Sequence, residues 1–159
     1  MKKFLLAVSL LCLVVACGGA SPEATVQKFF DAVKAKDGET AVGLLSQASI
    51  DEMSSGLEEL KADTTGFALS MLTGMLGVEV TPEELANMDG RDFAALLFSS
   101  DMVASEIGGG TFEIFGSEIE GDNAVVNVRM TMNGESDEEE LELVREGGSW
   151  KLNLEGMGM

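Results

Sequence analysis

In Val126-Asn127-Val128-Arg129-Met130-Thr131-Met132, apolar and polar side chains alternate strictly, the period of a half-buried strand and not of a helix. Asn133-Gly134 follows as a turn signal, and beyond it Leu141 and Leu143 alternate with Glu140 and Glu142. Gly147-Gly148 turns the chain again, after which Trp150, Leu152 and Leu154 alternate with Lys151 and Asn153. Upstream, Gly121-Asp122-Asn123 is a turn, and Phe112 to Glu120 reads as a strand interrupted by Gly116. The C-terminal part of the chain is therefore predicted to be an antiparallel meander.

Before Gly108-Gly109-Gly110 the period is helical. Ser21-Pro22-Glu23 opens a helix, with Ser21 as N-cap, Pro22 at the first position and an acid in the first turn. Val26, Phe29, Phe30 and Val33 fall on one face, and Asp37-Gly38 ends it. A short second helix buries Ala41, Leu44 and Leu45. Ser49-Ile50-Asp51-Glu52 has the form of a capping box for a third, whose apolar face is Ile50, Met53, Leu57 and Leu60. Phe67 to Leu76 is apolar nearly all round. Thr81-Pro82-Glu83-Glu84 is another capping box, starting a helix through Met88, and Arg91 to Ser99 forms a further one burying Phe93, Leu96 and Leu97. Helices first and a meander last make an α+β fold, with the N-terminal helices packed on one face of a curved antiparallel sheet.

Particular residues add a family resemblance. Ser21-Pro22-Glu23, Phe29-Phe30, Ala32, Lys36-Asp37-Gly38, Ala41, Leu44-Leu45 and Gly148-Ser149-Trp150-Lys151-Leu152 resemble bacterial lipoproteins with a nuclear-transport-factor-2-like (NTF2-like, cystatin-like) domain of unknown function. The likeness covers 21–47 and 111–154, with 48–110 as an expanded helical insert. It implies a sheet wrapped around a long N-terminal helix, a conical cavity between them, and a homodimer through the sheet. The resembled family includes enzymes and ligand binders, so function has to come from the site.

The N-terminus carries a second resemblance. Met1-Lys2-Lys3 is cationic, and Phe4 to Ala16 is apolar but for Ser9, the length of a signal-peptide core and too short to span a bilayer. Val14-Val15-Ala16-Cys17, then Gly18-Gly19-Ala20-Ser21, resembles the bacterial lipoprotein signal. The resemblance implies a diacylglyceryl thioether on Cys17, cleavage between Ala16 and Cys17, and attachment to a membrane through acyl chains such as palmitate. Cys12 is the rival acceptor, but bulky Leu11 precedes it. An ordinary secretory signal with an incidental cysteine is the alternative. Gly18 rather than Asp after the cysteine resembles an outer-membrane address, which would place the protein in the cell envelope facing the periplasm. The expected organisation is 1–16 signal peptide, 17–21 lipidated tether, and 22–159 one α+β domain. Cleavage would leave one cysteine, so no internal disulfide is expected.

Composition narrows the function. The 159 residues hold 28 acidic and 10 basic side chains, a net charge of -18, which argues against nucleic acid and against an anionic bilayer surface as partners. The chain has 0 His and 0 Tyr, which removes the commonest general base and metal ligand. A desolvated carboxylate could still act as a base, but Asp31 falls on the polar side of its helix beside Lys28 and Lys34. No enzyme, cofactor or metal is expected.

Three other features compete for a role. Glu135, Asp137, Glu138, Glu139, Glu140 and Glu142 could attract calcium, but the spacing is not that of an EF-hand and alternation stops all six from converging. A solvated hairpin that discourages pairing with other chains is the preferred reading. Met130-Thr131-Met132 and Met157-Gly158-Met159 have thioether spacing that soft Cu(I) accepts, yet core filling and a frayed tail explain them as well. Thr65 to Val80 is either the buried centre of the insert or the lining of an apolar pocket, with Met71 and Met75 one turn apart. The expectation is a lipid-anchored, non-enzymatic binding or interaction module. Its alternatives are a carrier of an apolar small ligand and a carboxylate-dependent enzyme of the same fold. The candidate ligand-binding residues are Phe30, Phe67, Met71, Met75 and Trp150.

Overall fold

The computed structural model describes residues 19–77, 79–132 and 134–155; Ala16, Cys17 and the Met157-Met159 pair lie outside these, as does the side chain of Met75. The first helix, α1 (Pro22–Lys34), starts where Ser21 accepts a hydrogen bond from the Ala24 N–H at 3.2 Å. Its end is set by Lys36, which adopts φ 57° while the Asp37 N–H reaches back to the Ala32 carbonyl at 2.9 Å. That is the Schellman arrangement, with a lysine in the place glycine usually takes. Asp37 is then free to cap α2 (Gly38–Val42) through the Thr40 N–H.

The next segment ties helices to sheet. Leu45 lies parallel to Leu152, with the Leu152 N–H on the Leu44 carbonyl and the Ser46 N–H on the Leu152 carbonyl, both at 2.8 Å. These bonds cover one edge of the sheet, which would otherwise be open to pairing. Ser46 also caps α3 (Gln47–Ala62), so that helix begins ahead of the Ser49 box expected from the sequence. Ser49 serves elsewhere: its hydroxyl accepts from the Leu154 N–H at 2.8 Å. The Ile50, Met53, Leu57 and Leu60 face of α3 turns inward as expected.

Helix α4 (Phe67–Leu76) is followed by α5 (Pro82–Asn87), whose Thr81–Glu84 capping box forms with both reciprocal bonds. A second such box, Asp89–Asp92, opens α6 (Gly90–Phe98). Leu96 and Leu97 of α6 are only half-buried, and Phe93, Ala94 and Phe98 take the core positions. One helix escapes the sequence reading. α7 (Asp101–Gly108) is capped by Ser100 and fully buries only Ala104, too little apolar periodicity to announce itself.

Strands β1 (Thr111–Glu120), β2 (Asn123–Met132), β3 (Glu135–Glu146) and β4 (Ser149–Asn153) form an antiparallel sheet in chain order. The interruption expected at Gly116 is a β-bulge between Ile114 and Gly116, which leaves Phe115 as the extra residue. Inward-facing Val126, Val128, Leu141, Leu143, Trp150 and Leu152 pack against α1. Phe30 stacks on Phe112 of β1 with ring centres 4.0 Å apart, and Phe29 meets Phe98 of α6 edge-on at 5.2 Å. A smaller cluster of Leu57, Leu85 and Phe93 holds α3, α5 and α6 together. The fold is α+β, helices followed by a four-stranded meander, as the residue periods predict. Every buried apolar residue described lies between Pro22 and Leu154, so the chain from Ala20 onward carries its own core.

Candidate functional site

The helices do not close completely on the sheet. A cavity of about 1190 Å³ is left between α3, α6 and α7 on one side and β2, β3 and β4 on the other. That exceeds the usual range for small-molecule pockets, roughly 300–1,000 Å³. Its floor is apolar: Phe29 and Phe30 of α1, Leu97 and Phe98 of α6, Leu141 and Leu152 of the sheet. The half-buried state of Leu97 follows, because its side chain faces the cavity.

The walls carry charge of one sign. α3 supplies Glu52 and Glu59, α7 supplies Glu106, and β3 supplies Glu135, Asp137 and Glu139. All six are exposed, whereas Phe29, Phe30, Phe98, Leu141 and Leu152 of the floor are buried, which puts the acids at the outer margin of the hollow. Strand alternation places the β3 set. Asp137 sits opposite Met130 and Glu139 opposite Val128, on the inward face, while Glu138, Glu140 and Glu142 face outward. The acidic run is thus split between two surfaces; all of it is exposed, as a solvated hairpin requires, but its inward half also borders the cavity. Inward positions therefore hold acids as well as the Phe, Val, Leu, Met and Trp expected there. Met130 and Met132 both line the cavity, which agrees with their predicted common direction.

The candidate residues separate. Phe30 lies in the floor. Trp150 is buried in the core with the Arg145 guanidinium 4.5 Å from its ring centre, and it does not line the cavity. In α4, Leu72 and Leu76 reach the cavity wall, whereas Phe67 and Met71 face away from it, 71% and 55% exposed. Thr65 to Val80 is therefore neither wholly core nor wholly lining: it packs by one side. Sequence reasoning placed none of the six acids at the cavity; the alternation of β3 with Leu141 and Leu143 was the signal that could have turned Glu135, Asp137 and Glu139 inward.

Carboxylates with displaced pKa values lie elsewhere. Glu23 is held below the usual range chiefly by the Ser117 hydroxyl, Asp37 by Thr40, Asp63 by Thr65 and Glu84 by the Thr81 N–H and hydroxyl. All four shifts are downward, the sense of a carboxylate that accepts hydrogen bonds at a helix start or turn. Among the described residues, no group of three His, Cys, Asp or Glu side chains could hold a metal ion, and no helix is long and apolar enough to cross a membrane.

Comparison with protein-family models and with curated proteins yields no match. Among solved structures, the chain is similar to a Campylobacter jejuni protein named as a candidate NTF2-like transpeptidase, at 14% identity and a TM-score of 0.47. The likeness covers 86% of this chain and 100% of that one.

Proposed function

We propose that the protein is a non-enzymatic binding protein, anchored to an envelope membrane through Cys17, that holds a small ligand by its apolar body in the cavity. The cavity is the observation that carries this reading: an apolar floor sheltered by helices is the form a small-molecule site takes. The chain brings 0 His and 0 Tyr, and its cysteines stand only at 12 and 17, which supports binding over chemistry. The outward sheet face sets Glu113, Glu118, Glu138, Glu140 and Glu142 against Arg129 and Lys151, so pairing two copies through it would oppose like charges. A monomer is the favoured state.

The test is to weigh the chain from Ala20 to Met159, purified after export, by native and then denaturing mass spectrometry. The expected result is a native mass above one chain, with the excess lost on denaturation. A bare chain mass would count against the ligand and turn attention to the exposed Phe67–Met71 face as a protein contact. The anchor is tested separately. Cys17→Ser in the full chain should leave the precursor uncleaved, and a variant that still loses its first 16 residues would refute lipidation at that residue.

A further inference from the structure

The chemistry of the cavity goes further than its apolar floor. Glu52, Glu59, Glu106, Glu135, Asp137 and Glu139 stand around the opening, and no lysine or arginine lines it. None of these six makes an ion pair or a side-chain hydrogen bond among the described residues. Among the described cations, Lys36 pairs with Asp101, Lys61 with Glu58 and Arg129 with Glu113 and Glu138, and none of them lines the cavity. Like charges left unneutralised at the mouth of a low-dielectric hollow focus a negative potential into it.

Resting on the cavity reading above, we infer that the ligand is a small cationic amphiphile, with an apolar chain or ring system on the floor and an ammonium or guanidinium group at the opening. Each half has its own warrant. The Phe29, Phe30, Leu141 and Leu152 surface gains by covering with hydrocarbon and offers a charged group nothing. The carboxylates come from three elements and do not converge into a metal cage, so a bare divalent cation is not the fit. An anionic head, as on a fatty acid or a phospholipid, would meet repulsion from every side of the mouth. An organic cation on an apolar body satisfies both surfaces. The buried apolar floor, which a basic segment of another protein would leave uncovered, favours a small amphiphile.

The probes are dodecyltrimethylammonium, dodecyl maltoside and dodecyl sulfate, which share one tail, titrated calorimetrically below their micelle concentrations into the chain from Ala20 onward. The cationic probe should bind tightest and the sulfate weakest, with the preference shrinking as salt rises. In Glu106→Gln/Asp137→Asn/Glu139→Gln, checked for folding by circular dichroism, the ratio of cationic to maltoside affinity should fall about tenfold. Equal or tighter binding of the maltoside or the sulfate would overturn the cationic assignment and leave the cavity reading standing. An unchanged ratio in the triple variant would overturn it too, since the selectivity would then arise elsewhere. Failure of all three probes to bind would remove the cavity reading itself, and with it this inference.

Discussion

Gly38→Ala should destabilise the domain by about 3 kcal/mol, at the upper end of what one inserted methyl does to a filled interior. Gly38 opens α2 where that helix lies against the last turn of α6, and its N–H donates to the Ser99 hydroxyl at 3.2 Å. A β-carbon there would stand 2.1 Å from the Ala95 carbonyl oxygen and 2.4 Å from the Ser99 oxygen. The first of these is backbone held within a helix, so α2 would have to move as a body. Leu45 follows just after, and the hydrogen bonds that Leu44 and Ser46 on either side of it make to Leu152 of β4 would move with it. For a domain of this size the melting temperature should drop by about 6–12 °C. Gly56→Ala is the control: a β-carbon at that helical position meets nothing within 4 Å, and the change should be neutral or stabilising by up to about 1 kcal/mol. Equal melting temperatures for the two variants would show that α2 and α6 do not approach as closely as described.

Phe30→Ala should cost about 3 kcal/mol, the low end for a buried phenylalanine, because one side of the ring already faces the cavity. The truncation removes the stack on Phe112 and the edge contact with Phe29, whose ring centre is 5.8 Å away. It also takes away part of the cavity floor, so any co-purifying mass should be lost from the variant. Phe30→Leu keeps most of the volume and should cost only about 1 kcal/mol. Urea unfolding measures both, read as a lower midpoint at constant slope. A midpoint for Phe30→Ala equal to that of the unmodified chain would mean that the Phe30–Phe112 stack contributes nothing to holding α1 on the sheet.

Much of this architecture was legible in the residues because its signals are local. Ser21-Pro22-Glu23, Thr81 with Glu84, and the alternation from Val126 to Met132 each satisfy nearby backbone groups or one face of one element, and the structure realises all three. α3 started early because the sequence offers two serines, and only the position of Leu154 decides that Ser49 serves the sheet while Ser46 serves the helix. α7 stayed hidden because a short helix with one fully buried residue carries almost no apolar period.

The candidate site divides along the same line. Phe30 could be placed because α1 has one apolar face and the sheet must lie against it. Phe67 and Met71 could not, since α4 is apolar on all sides and its own sequence does not say which side packs. The acidic run is the clearest case. Alternation with Leu141 and Leu143 puts Asp137 and Glu139 on the inward face and Glu138, Glu140 and Glu142 on the other, but only the packing of the helices on that sheet shows that the inward acids border the hollow.

What the sequence by itself determined was the class of fold, the start of most helices, the order of the strands and the sign of the charge. These depend on periodicity, capping and composition, which act over a few residues. The tertiary structure alone decided that Gly38 must have no side chain, that α4 turns Phe67 and Met71 outward, and that acids from α3, α7 and β3 surround one apolar hollow. Those outcomes depend on contacts between residues far apart in the chain, where packing and strand register, and not local preference, set which atoms meet.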